Sequence, residues 1–460
     1  MRIAENDGLA GAERFCAITR ANVARTPQWA RLDVDLQEAV NVVSAVLPFR
    51  TNAYIMRELI DWDCVPNDPI YQLTFPQRGM LSREHYQQIA RLLRSNAPRA
   101  FLDAAVRRIQ YELNPHPAGQ MTHNVPVHDD QPLPGVQHKY LETVLFFPSH
   151  GQTCHAYCTF CFRWAQFVGI EELKFANNDI ELLVSYLKKH RRVTDVLITG
   201  GDPMIMSTPV LRRYLEALLD PQLDHVQSIR IGTKSVGYWP QRYVTDPDAD
   251  DLMRLFERIV QSGKHLAIMG HYSHPAELST DIACQAVRRI RSTGAVLRMQ
   301  SPLIRHVNDD PIAWADLWRR GVRLGAVPYY MFVERDTGAR QYFELPLVRV
   351  WDIFREAYQR VSGLARTVRG PSMSAFPGKV HIIGVTRVLG ERAFVLEYLQ
   401  ARNADLVRRP FFARFHRDAV WFDQLLPLTM NDREFFPHRS VPYHLPIWTT
   451  PFPMETEAFR

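Results

Sequence analysis

The chain has 460 residues, of which 46% are hydrophobic and 23% are charged. This length and composition can bury one large core or two medium ones, so a globular protein is expected. Its 55 Lys and Arg exceed its 49 Asp and Glu to give a net charge of +6, but the basic residues are spread along the chain. The spread argues against a nucleic-acid-binding arm, and no window approaches the about 20 apolar residues that a membrane span needs.

The cysteines are few and unevenly placed. The chain has six, and three of them fall within eight positions, at Cys154, Cys158 and Cys161. A disulfide framework would be denser and more regular, and the N-terminal residues lack the apolar core of a signal peptide. We therefore expect a reducing, cytoplasmic location and interpret the clustered cysteines as a metal site.

The first part of the chain, residues 1–140, has a mixed pattern. Apolar residues recur at helical spacing in 36–46 and 82–95, and a segment rich in Pro, His and Asn covers 115–135. These features predict a helical N-terminal region that ends in a loop.

Residues 141–335 alternate short apolar runs with longer amphipathic ones, which is the pattern of successive βα units. The predicted strands are 144–148, 195–200, 228–233, 265–271, 296–303 and 327–333, and the predicted helices are 179–191, 210–219, 248–262, 280–292 and 311–324. Six such units predict an α/β core of the partial (β/α)6 barrel type. Its active groups should lie on loops at the carboxyl ends of the strands.

Residues 336–460 are predicted to form a C-terminal extension over the core. It carries a helical pattern at 346–362, apolar runs at 379–385 and 393–399, and a tail rich in Pro and aromatic residues from Pro410 onward. The aromatic side chains of this tail predict either a homo-oligomer contact or core packing.

The three clustered cysteines form a C-x3-C-x2-C run directly after the first predicted core strand. Structural zinc and closed [4Fe-4S] clusters usually take four protein ligands. A [4Fe-4S] cluster held by three thiolates leaves one iron open. That iron can chelate the methionine end of S-adenosylmethionine (SAM) and pass one electron to its sulfonium. Three buried thiols, or a zinc site that borrows His150 or His155, remain alternatives.

A Gly-Gly-Asp turn follows the second predicted strand, at Gly200, Gly201 and Asp202. Paired glycines allow the backbone to approach a ligand closely, and the carboxylate of Asp202 can accept a hydrogen bond from the SAM ammonium. The turn is therefore a candidate SAM-binding segment.

Together these motifs resemble the radical SAM superfamily and, within it, the lysine 2,3-aminomutase family of pyridoxal phosphate (PLP)-dependent enzymes. The resemblance runs from about Asn67 to Lys379 and includes the Asp-Pro-Ile at 68–70 and the segment 134–140. It implies a radical SAM barrel, a [4Fe-4S] cluster on the three cysteines, SAM and PLP. It also implies that Gly200, Gly201, Asp202, Lys234, His271, His274 and Gln300 bind SAM or lie beside the cofactors. Lys234 stands where an arginine is expected, and a structural role for His271 and His274 is equally open.

The same resemblance identifies Lys379 as the residue that holds PLP through its aldehyde. The preceding loop departs from the family pattern, because it has fewer glycines and no upstream aspartate. Thr143 occupies the place of an arginine expected at the PLP phosphate, which leaves Lys139 and Tyr140 as the phosphate partners.

Arg163 corresponds to the arginine that binds the substrate carboxylate in this family, a role that suits a bidentate guanidinium. An ammonium-bearing substrate would need acidic groups at the far end of the pocket, which only Glu334 or Asp336 loosely represent. Another α-amino acid is therefore open as substrate. The family's C-terminal zinc cysteines are missing, so no zinc is expected.

The leading hypothesis is a radical SAM, PLP-dependent amino acid 2,3-aminomutase that receives its electron from a donor such as flavodoxin or ferredoxin. The alternative enzyme keeps the radical but lacks PLP, and performs an epimerisation or dehydrogenation on an amino acid or peptide. A third hypothesis, an iron–sulfur electron carrier that binds no SAM, fits the predicted barrel and the Gly-Gly-Asp turn poorly.

Overall fold

The computed structural model describes residues 14–436, so the predicted tail beyond Phe436 lies outside the described residues. The described part forms a mixed α/β protein built around one large sheet. Within this part of the chain, no helix combines the length and the apolar character that crossing a membrane would require.

The described N-terminal residues contain four α-helices, of which three begin at capping side chains and the fourth begins after Pro98 without one. The carboxylates of Asp33 and Asp68 and the hydroxyl of Ser82 accept hydrogen bonds from backbone N–H groups in the first turn of the helix that each precedes. The helices are α1 (Val34–Val43), α2 (Pro69–Thr74), α3 (Arg83–Arg94) and α4 (Arg99–Glu112); a π-helical turn covers Ile55–Leu59, and the small strands are β1 (Ala17–Thr19), β2 (Arg50–Asn52), β3 (Val127–His128) and β4 (Gln131–Pro132). The sequence patterns missed α4.

The large sheet has eleven strands within residues 14–436, and they follow one another across it in chain order. They are β5 (Val136–Tyr140), β6 (Thr143–Phe146), β7 (Asp195–Ile198), β8 (Ser228–Thr233), β9 (His265–His271), β10 (Val296–Leu303), β11 (Val327–Val333), β12 (Arg369–Ser374), β13 (Gly378–Val388), β14 (Glu391–Ala401) and β15 (Phe411–Arg414). Strands β6 to β12 pair in parallel, and the other neighbours pair antiparallel.

The six predicted core strands are confirmed as β6 to β11, and helices alternate with them. These helices are α5 (Ile180–Lys189), α6 (Thr208–Ala217), α7 (Ser235–Tyr238), α8 (Gln241–Val244), α9 (Ala249–Gln261), α10 (Asp281–Ser292) and α11 (Pro311–Leu324), followed by α12 (Arg340–Phe343) and α13 (Leu347–Gln359). The α/β class is therefore confirmed. Closure of the sheet into a partial barrel stays a prediction.

The two faces of the parallel strands differ in burial, because successive side chains point to opposite faces. In β8, Ile229 and Ile231 are fully buried, while Arg230 between them is only partly buried. Strand β7 likewise alternates half-buried Asp195 with buried Val196. One face is thus an apolar core face, and the other carries charged side chains.

The sheet continues across both predicted domain boundaries. Strand β5 pairs with β6 across residue 140, and β11 pairs with β12 beyond residue 335. The division into 1–140, 141–335 and 336–460 therefore stays a prediction. The aromatic residues of the C-terminal extension pack in the main core, where Phe411 is fully buried and Phe435 is 5% exposed.

Candidate active site

The cysteine loop leaves the carboxyl end of β6 and is held in place by the N-terminal region. The backbone N–H of Tyr157 donates to Arg50 O at 2.9 Å, and that of Thr159 donates to Leu73 O at 2.9 Å. The guanidinium of Arg50 donates back to Cys154 O at 3.2 Å. Residues distant in sequence therefore fix the shape of the loop.

All three loop cysteines are free thiols. Burial raises the pKa of Cys158 to about 12 and of Cys161 to about 11, and raises the pKa of Cys154 well above its usual value. The charges of Asp202 and of the other two thiols raise the pKa of Cys154 further. Such thiols lose their protons when a metal binds, since thiolate is the ligand form.

The three cysteine thiols are donors of the kind that an iron–sulfur cluster uses. Among residues 14–436, no three or more His, Cys, Asp or Glu side chains converge on one ion position. Zinc needs its sulfur ligands about 2.3 Å from one centre, whereas each thiolate of a cluster binds a different iron. The two histidines considered for zinc have different surroundings. His150 Nδ1 lies 2.8 Å from the Tyr214 hydroxyl, whereas the His155 ring stacks on Trp239 and its buried Nδ1 has no hydrogen-bond partner within residues 14–436.

Gly200 and Gly201 lie against the cysteine loop at the end of β7. A Cβ atom on Gly201 would come within 2.6 Å of the backbone N and O of Thr153, and one on Gly200 would lie 2.4 Å from Gln152 Nε2. Glycine at these two positions thus allows the turn to pack on the cysteine loop. The sequence had suggested a different reason, namely close approach of the backbone to a ligand. Contact with SAM stays a prediction for both.

Asp202 is 3% exposed, and the protein satisfies its carboxylate. Its oxygens accept hydrogen bonds from Thr233 Oγ1 at 2.7 and 2.8 Å and from the backbone N–H groups of Met204 and Lys234 at 2.9 Å each. Asp202 therefore clamps the ends of β7 and β8 together. Its predicted contact with the SAM ammonium stays a prediction.

Lys234 follows β8 and is paired with a buried carboxylate. Its ammonium lies 2.6 Å from Glu277 Oε2, donates to His271 O at 3.1 Å, and sits 4.4 Å from the centre of the Tyr238 ring. The Tyr238 hydroxyl in turn lies 3.8 Å from Cys158 Sγ. This arrangement links the lysine to the cysteine loop through one aromatic ring.

The two predicted SAM-contacting histidines have different surroundings. The His271 ring stacks on Phe160 of the cysteine loop with centres 5.8 Å apart, and its buried Nδ1 has no hydrogen-bond partner within residues 14–436. His274 Nδ1 accepts from the Ala276 backbone N–H at 3.3 Å and so caps a short helix. Gln300 pairs with His271 across β9 and β10. His271 and Gln300 thus lie together, while His274 has a structural contact.

Lys379 begins β13 next to the aromatic side chains of β11. Its ammonium lies 4.1 Å from the centre of the Tyr330 ring. Burial, together with the charges of Arg230 and Arg369 and against the opposing charge of Asp195, lowers the pKa of Lys379 to about 7. An amine with this pKa is largely neutral just above pH 7 and can act as a nucleophile.

Lys139 lies close to Lys379 and faces further cations. It donates a hydrogen bond to Ala375 O, and burial together with the charges of Arg402, Arg335 and Lys379 lowers the pKa of Lys139 well below its usual value. Burial raises the pKa of Tyr140, and the charges of Arg402 and Arg335 oppose this by lowering it. Lys139 thus contacts Ala375, four residues before Lys379, and the charges of Arg335 and Arg402 act on Lys139, which the sequence reasoning missed. Binding of PLP by Lys139, Tyr140 and Lys379 stays a prediction.

Arg163 is 7% exposed and stacks on aromatic rings beside the cysteine loop. Its guanidinium carbon lies 4.0 Å from the centre of Phe147 and 5.0 Å from that of Phe162. No carboxylate within the described residues pairs with it, and burial lowers its pKa to about 9. A buried arginine without an anionic partner is suited to bind the carboxylate of a ligand.

The comparisons with known proteins point to one family. The chain is 31% identical over 388 residues to a putative L-lysine 2,3-aminomutase of Aquifex aeolicus, a match that covers 84% of this chain and 90% of the relative. It is 26% identical over 240 residues to L-lysine 2,3-aminomutase of Clostridium subterminale and 28% identical over 204 residues to that of Methanococcus maripaludis. These two matches span 54% and 44% of those relatives.

The comparisons with solved structures and with family models give weaker support for this assignment. A radical SAM methyltransferase from Sphaerobacter thermophilus is 17% identical, with 51% of this chain and 68% of that chain covered, but its TM-score is 0.37. SuiB of Streptococcus suis is 12% identical, with 62% and 61% covered and a TM-score of 0.36. Both scores are too low to establish a shared fold. No family model matches the chain. The similarity to the Aquifex protein nevertheless extends over most of both chains, and this protein belongs to the L-lysine 2,3-aminomutase family of radical SAM enzymes.

Proposed function

We propose that this protein is a radical SAM, PLP-dependent 2,3-aminomutase that converts an α-amino acid to a β-amino acid. Membership of the family implies a [4Fe-4S] cluster, SAM and PLP. When bound, the cluster and SAM supply a 5′-deoxyadenosyl radical that removes a hydrogen atom, and PLP supplies the carbonyl group through which nitrogen migrates. The observation that carries the proposal is the buried amine of Lys379, held over Tyr330 beside Lys139.

The thiolates of Cys154, Cys158 and Cys161 would hold the cluster. At the adjacent strand ends, the unpartnered Nδ1 of His271 is available to SAM, and so is the half-buried Gln300 beside it. Lys234 would face the SAM carboxylate while it neutralises Glu277. Asp202 and the two glycines would keep the turn after β7 in contact with the cysteine loop.

The PLP site would form on the charged face of the sheet. Lys379 would hold the aldehyde carbon, because its lowered pKa makes the neutral amine available near pH 7. Lys139, with the Tyr140 hydroxyl beside it, would bind the phosphate, and Arg402 adds positive charge. Burying this many cations near one another is unfavourable unless an anion joins them.

Arg163 would bind the α-carboxylate of the substrate. Its guanidinium is fixed by Phe147 and Phe162, so its donors are oriented before the substrate arrives. The rings and the surrounding burial also exclude water, which strengthens the ion pair. An electron donor such as flavodoxin or ferredoxin would reduce the cluster.

One observation favours the PLP-independent enzyme as second candidate. Thr143, at the position where an arginine was expected for the PLP phosphate, donates to Asp195 Oδ2 at 3.0 Å. Asp195 is also paired with Arg230, whose Nε lies 2.8 Å from it. Thr143 and Asp195 therefore offer no positive charge to a phosphate.

The test is chemical trapping of PLP on the anaerobically reconstituted protein. After incubation with PLP and reduction by borohydride, we expect a stable PLP–lysine adduct that peptide mapping places at Lys379. The variant Lys379→Ala should lose the adduct, whereas Lys174→Ala, which removes an exposed lysine paired with Glu171, should keep it. An intact cluster in a protein that never forms the adduct would establish the PLP-independent alternative.

A further inference from the structure

We propose that the substrate carries a second acid group on its side chain, so that Arg163 binds the α-carboxylate and Arg335 binds the side-chain carboxylate. This inference rests on the proposed aminomutase function and names the class of amino acid on which the enzyme acts. It predicts a dicarboxylic amino acid such as glutamate or aspartate, rather than one with a terminal ammonium.

Arg335 is a half-buried arginine that no carboxylate fully satisfies. It follows the carboxyl end of β11, and its Nε is buried without a hydrogen-bond partner within residues 14–436. The nearest carboxylate oxygen, Asp336 Oδ1, lies 3.8 Å from that nitrogen, which is too long for a hydrogen bond. A buried guanidinium donor without a partner is costly, and a bound carboxylate would remove the cost.

Arg335 and Arg163 lie beside the same aromatic ring. The guanidinium carbons are 5.0 Å (Arg163) and 5.4 Å (Arg335) from the centre of Phe162, the residue that follows Cys161. The charge of Arg335 also acts on Arg163. Two guanidinium groups held on one small ring and not paired with each other suit a short ligand with a carboxylate at each end.

The other charged groups at this position are poor partners for an ammonium. Glu334 is 5% exposed, and burial raises its pKa well above its usual value, which disfavours the charged form of the carboxyl group. Asp336 Oδ1 is also buried without a hydrogen-bond partner within residues 14–436, but it lies 3.8 Å from the Nε of Arg335, whose positive charge opposes that of an ammonium. The positive charge of Arg335 also lowers the pKa of Lys139. A terminal ammonium would therefore meet like charges, and discrimination by such repulsion is a common source of specificity.

The test compares amino acids that differ in the side-chain charge. The reconstituted holoenzyme, with SAM, PLP and a reductant, is given glutamate, its neutral isostere glutamine, aspartate, asparagine and lysine, and the β-amino acid product is measured by mass spectrometry. We expect an acidic amino acid to be converted with a kcat/KM at least about tenfold above that of its amide and of lysine, as loss of one charged contact predicts.

Each other result has a definite meaning. Preferential formation of a β-amino acid from lysine, or equal rates for an acid and its amide, would overturn this inference and leave the aminomutase function in place. SAM cleavage without any β-amino acid product would instead count against the proposed function itself.

Two variants assign the role to Arg335. Arg335→Gln should lose the preference for the acid over the amide, and Arg335→Lys should restore part of it, while both retain the cluster and the borohydride-trapped PLP adduct. If Arg335→Gln instead abolishes the PLP adduct, Arg335 belongs to the cofactor phosphate and the inference fails.

Discussion

The two ends of the candidate site are built in different ways. Around the cysteine loop, Asp202 and Lys234 are satisfied by other protein groups, through the hydrogen bonds to Asp202 and the pairing of Lys234 with Glu277, while the Nδ1 of His271 is left without a partner within residues 14–436. Around Lys379, several cations face one another, and Arg163 and Arg335 lack a fully bonded carboxylate. Internal hydrogen bonds preorganise the first end, whereas the second end is completed by anionic ligands.

This difference separates two kinds of sensitivity to mutation. At the cysteine end, a substitution removes a contact between protein groups, so stability and cluster properties should change. At the cation end, a substitution removes a contact with a ligand, so binding should change while the fold remains. Substitutions at the two ends therefore test this division.

The largest effect is expected at the cysteines. Cys161→Ala should abolish the cluster and all SAM cleavage, because only two thiolates would remain in the loop. Iron content and the visible absorption spectrum measure this directly. Cys284→Ala is the matched control, since Cys284 is a free, half-buried cysteine whose thiol contacts Leu278 O at 3.6 Å. A Cys161→Ala protein that retains a full cluster would contradict the assignment.

A smaller but large effect is expected at the cation end. Arg163→Gln should lower kcat/KM roughly 30- to 160-fold, equivalent to about 2–3 kcal/mol of transition-state stabilisation, because it removes a desolvated charged partner of the substrate. The loss should appear mainly in KM, and the cluster spectrum and thermal stability should stay close to those of the parent protein. A large fall in stability with unchanged KM would show that Arg163 is a structural residue.

Features of the two ends could be predicted from the sequence where a short stretch of residues determines them. The cysteine spacing and the period-2 runs of β8 to β11 are local patterns, so the motif and the strands were predicted nearly to the residue. Strand β12 and helix α4 were missed; β12 reads Arg-Gly-Pro-Ser-Met-Ser and carries no alternating apolar pattern. Its place in the sheet is set by pairing with β11.

The contacts between residues that are distant in the chain could not be predicted from the sequence. Nothing local indicates that Arg335 shares the ring of Phe162 with Arg163, because these arginines are far apart in the chain. Nor does the Gly-Gly-Asp motif reveal that Asp202 bonds to Thr233 rather than facing an open pocket. The one available signal for Arg335 was its position directly after the sixth predicted strand, where site residues of this architecture gather.

The clamp at Asp202 should affect stability more than substrate binding. Asp202→Asn replaces an acceptor oxygen by a donor that faces the N–H and O–H donors of Met204, Thr233 and Lys234. Leaving such buried groups unpaired costs about 1–3 kcal/mol, so the denaturation midpoint should fall. Asp63→Asn, which changes an exposed carboxylate, should leave the denaturation midpoint unchanged. An Asn variant of parental stability with a raised KM for SAM would support direct contact of Asp202 with SAM instead.

The pKa of Lys379 predicts a pH dependence at the cation end. The protonated amine cannot attack an aldehyde, and the pKa of Lys379 is lowered to about 7. The rate of PLP adduct formation should therefore rise nearly tenfold per pH unit below pH 7 and level off above it. Stopped-flow absorbance at fixed PLP concentration measures this. A rate that climbs steadily to pH 10 would show that Lys379 keeps an ordinary pKa.

The smallest effect is expected from the contact between the buried side chain of Tyr238 and the cluster ligand Cys158. The hydroxyl of Tyr238, 3.8 Å from Cys158 Sγ, lies on a ring that the ammonium of Lys234 covers at 4.4 Å. A hydrogen bond to a ligating sulfur stabilises the reduced, more negative cluster and raises its potential. Tyr238→Phe should therefore shift the potential to more negative values in a redox titration followed by electron paramagnetic resonance, with iron content unchanged.

Tyr54→Phe removes another buried hydroxyl, which lies 2.7 Å from Thr280 Oγ1, and should leave the potential as it was. If both variants leave the potential unchanged, the Tyr238 hydroxyl only fills space, and the cysteine end is preorganised by its backbone contacts alone.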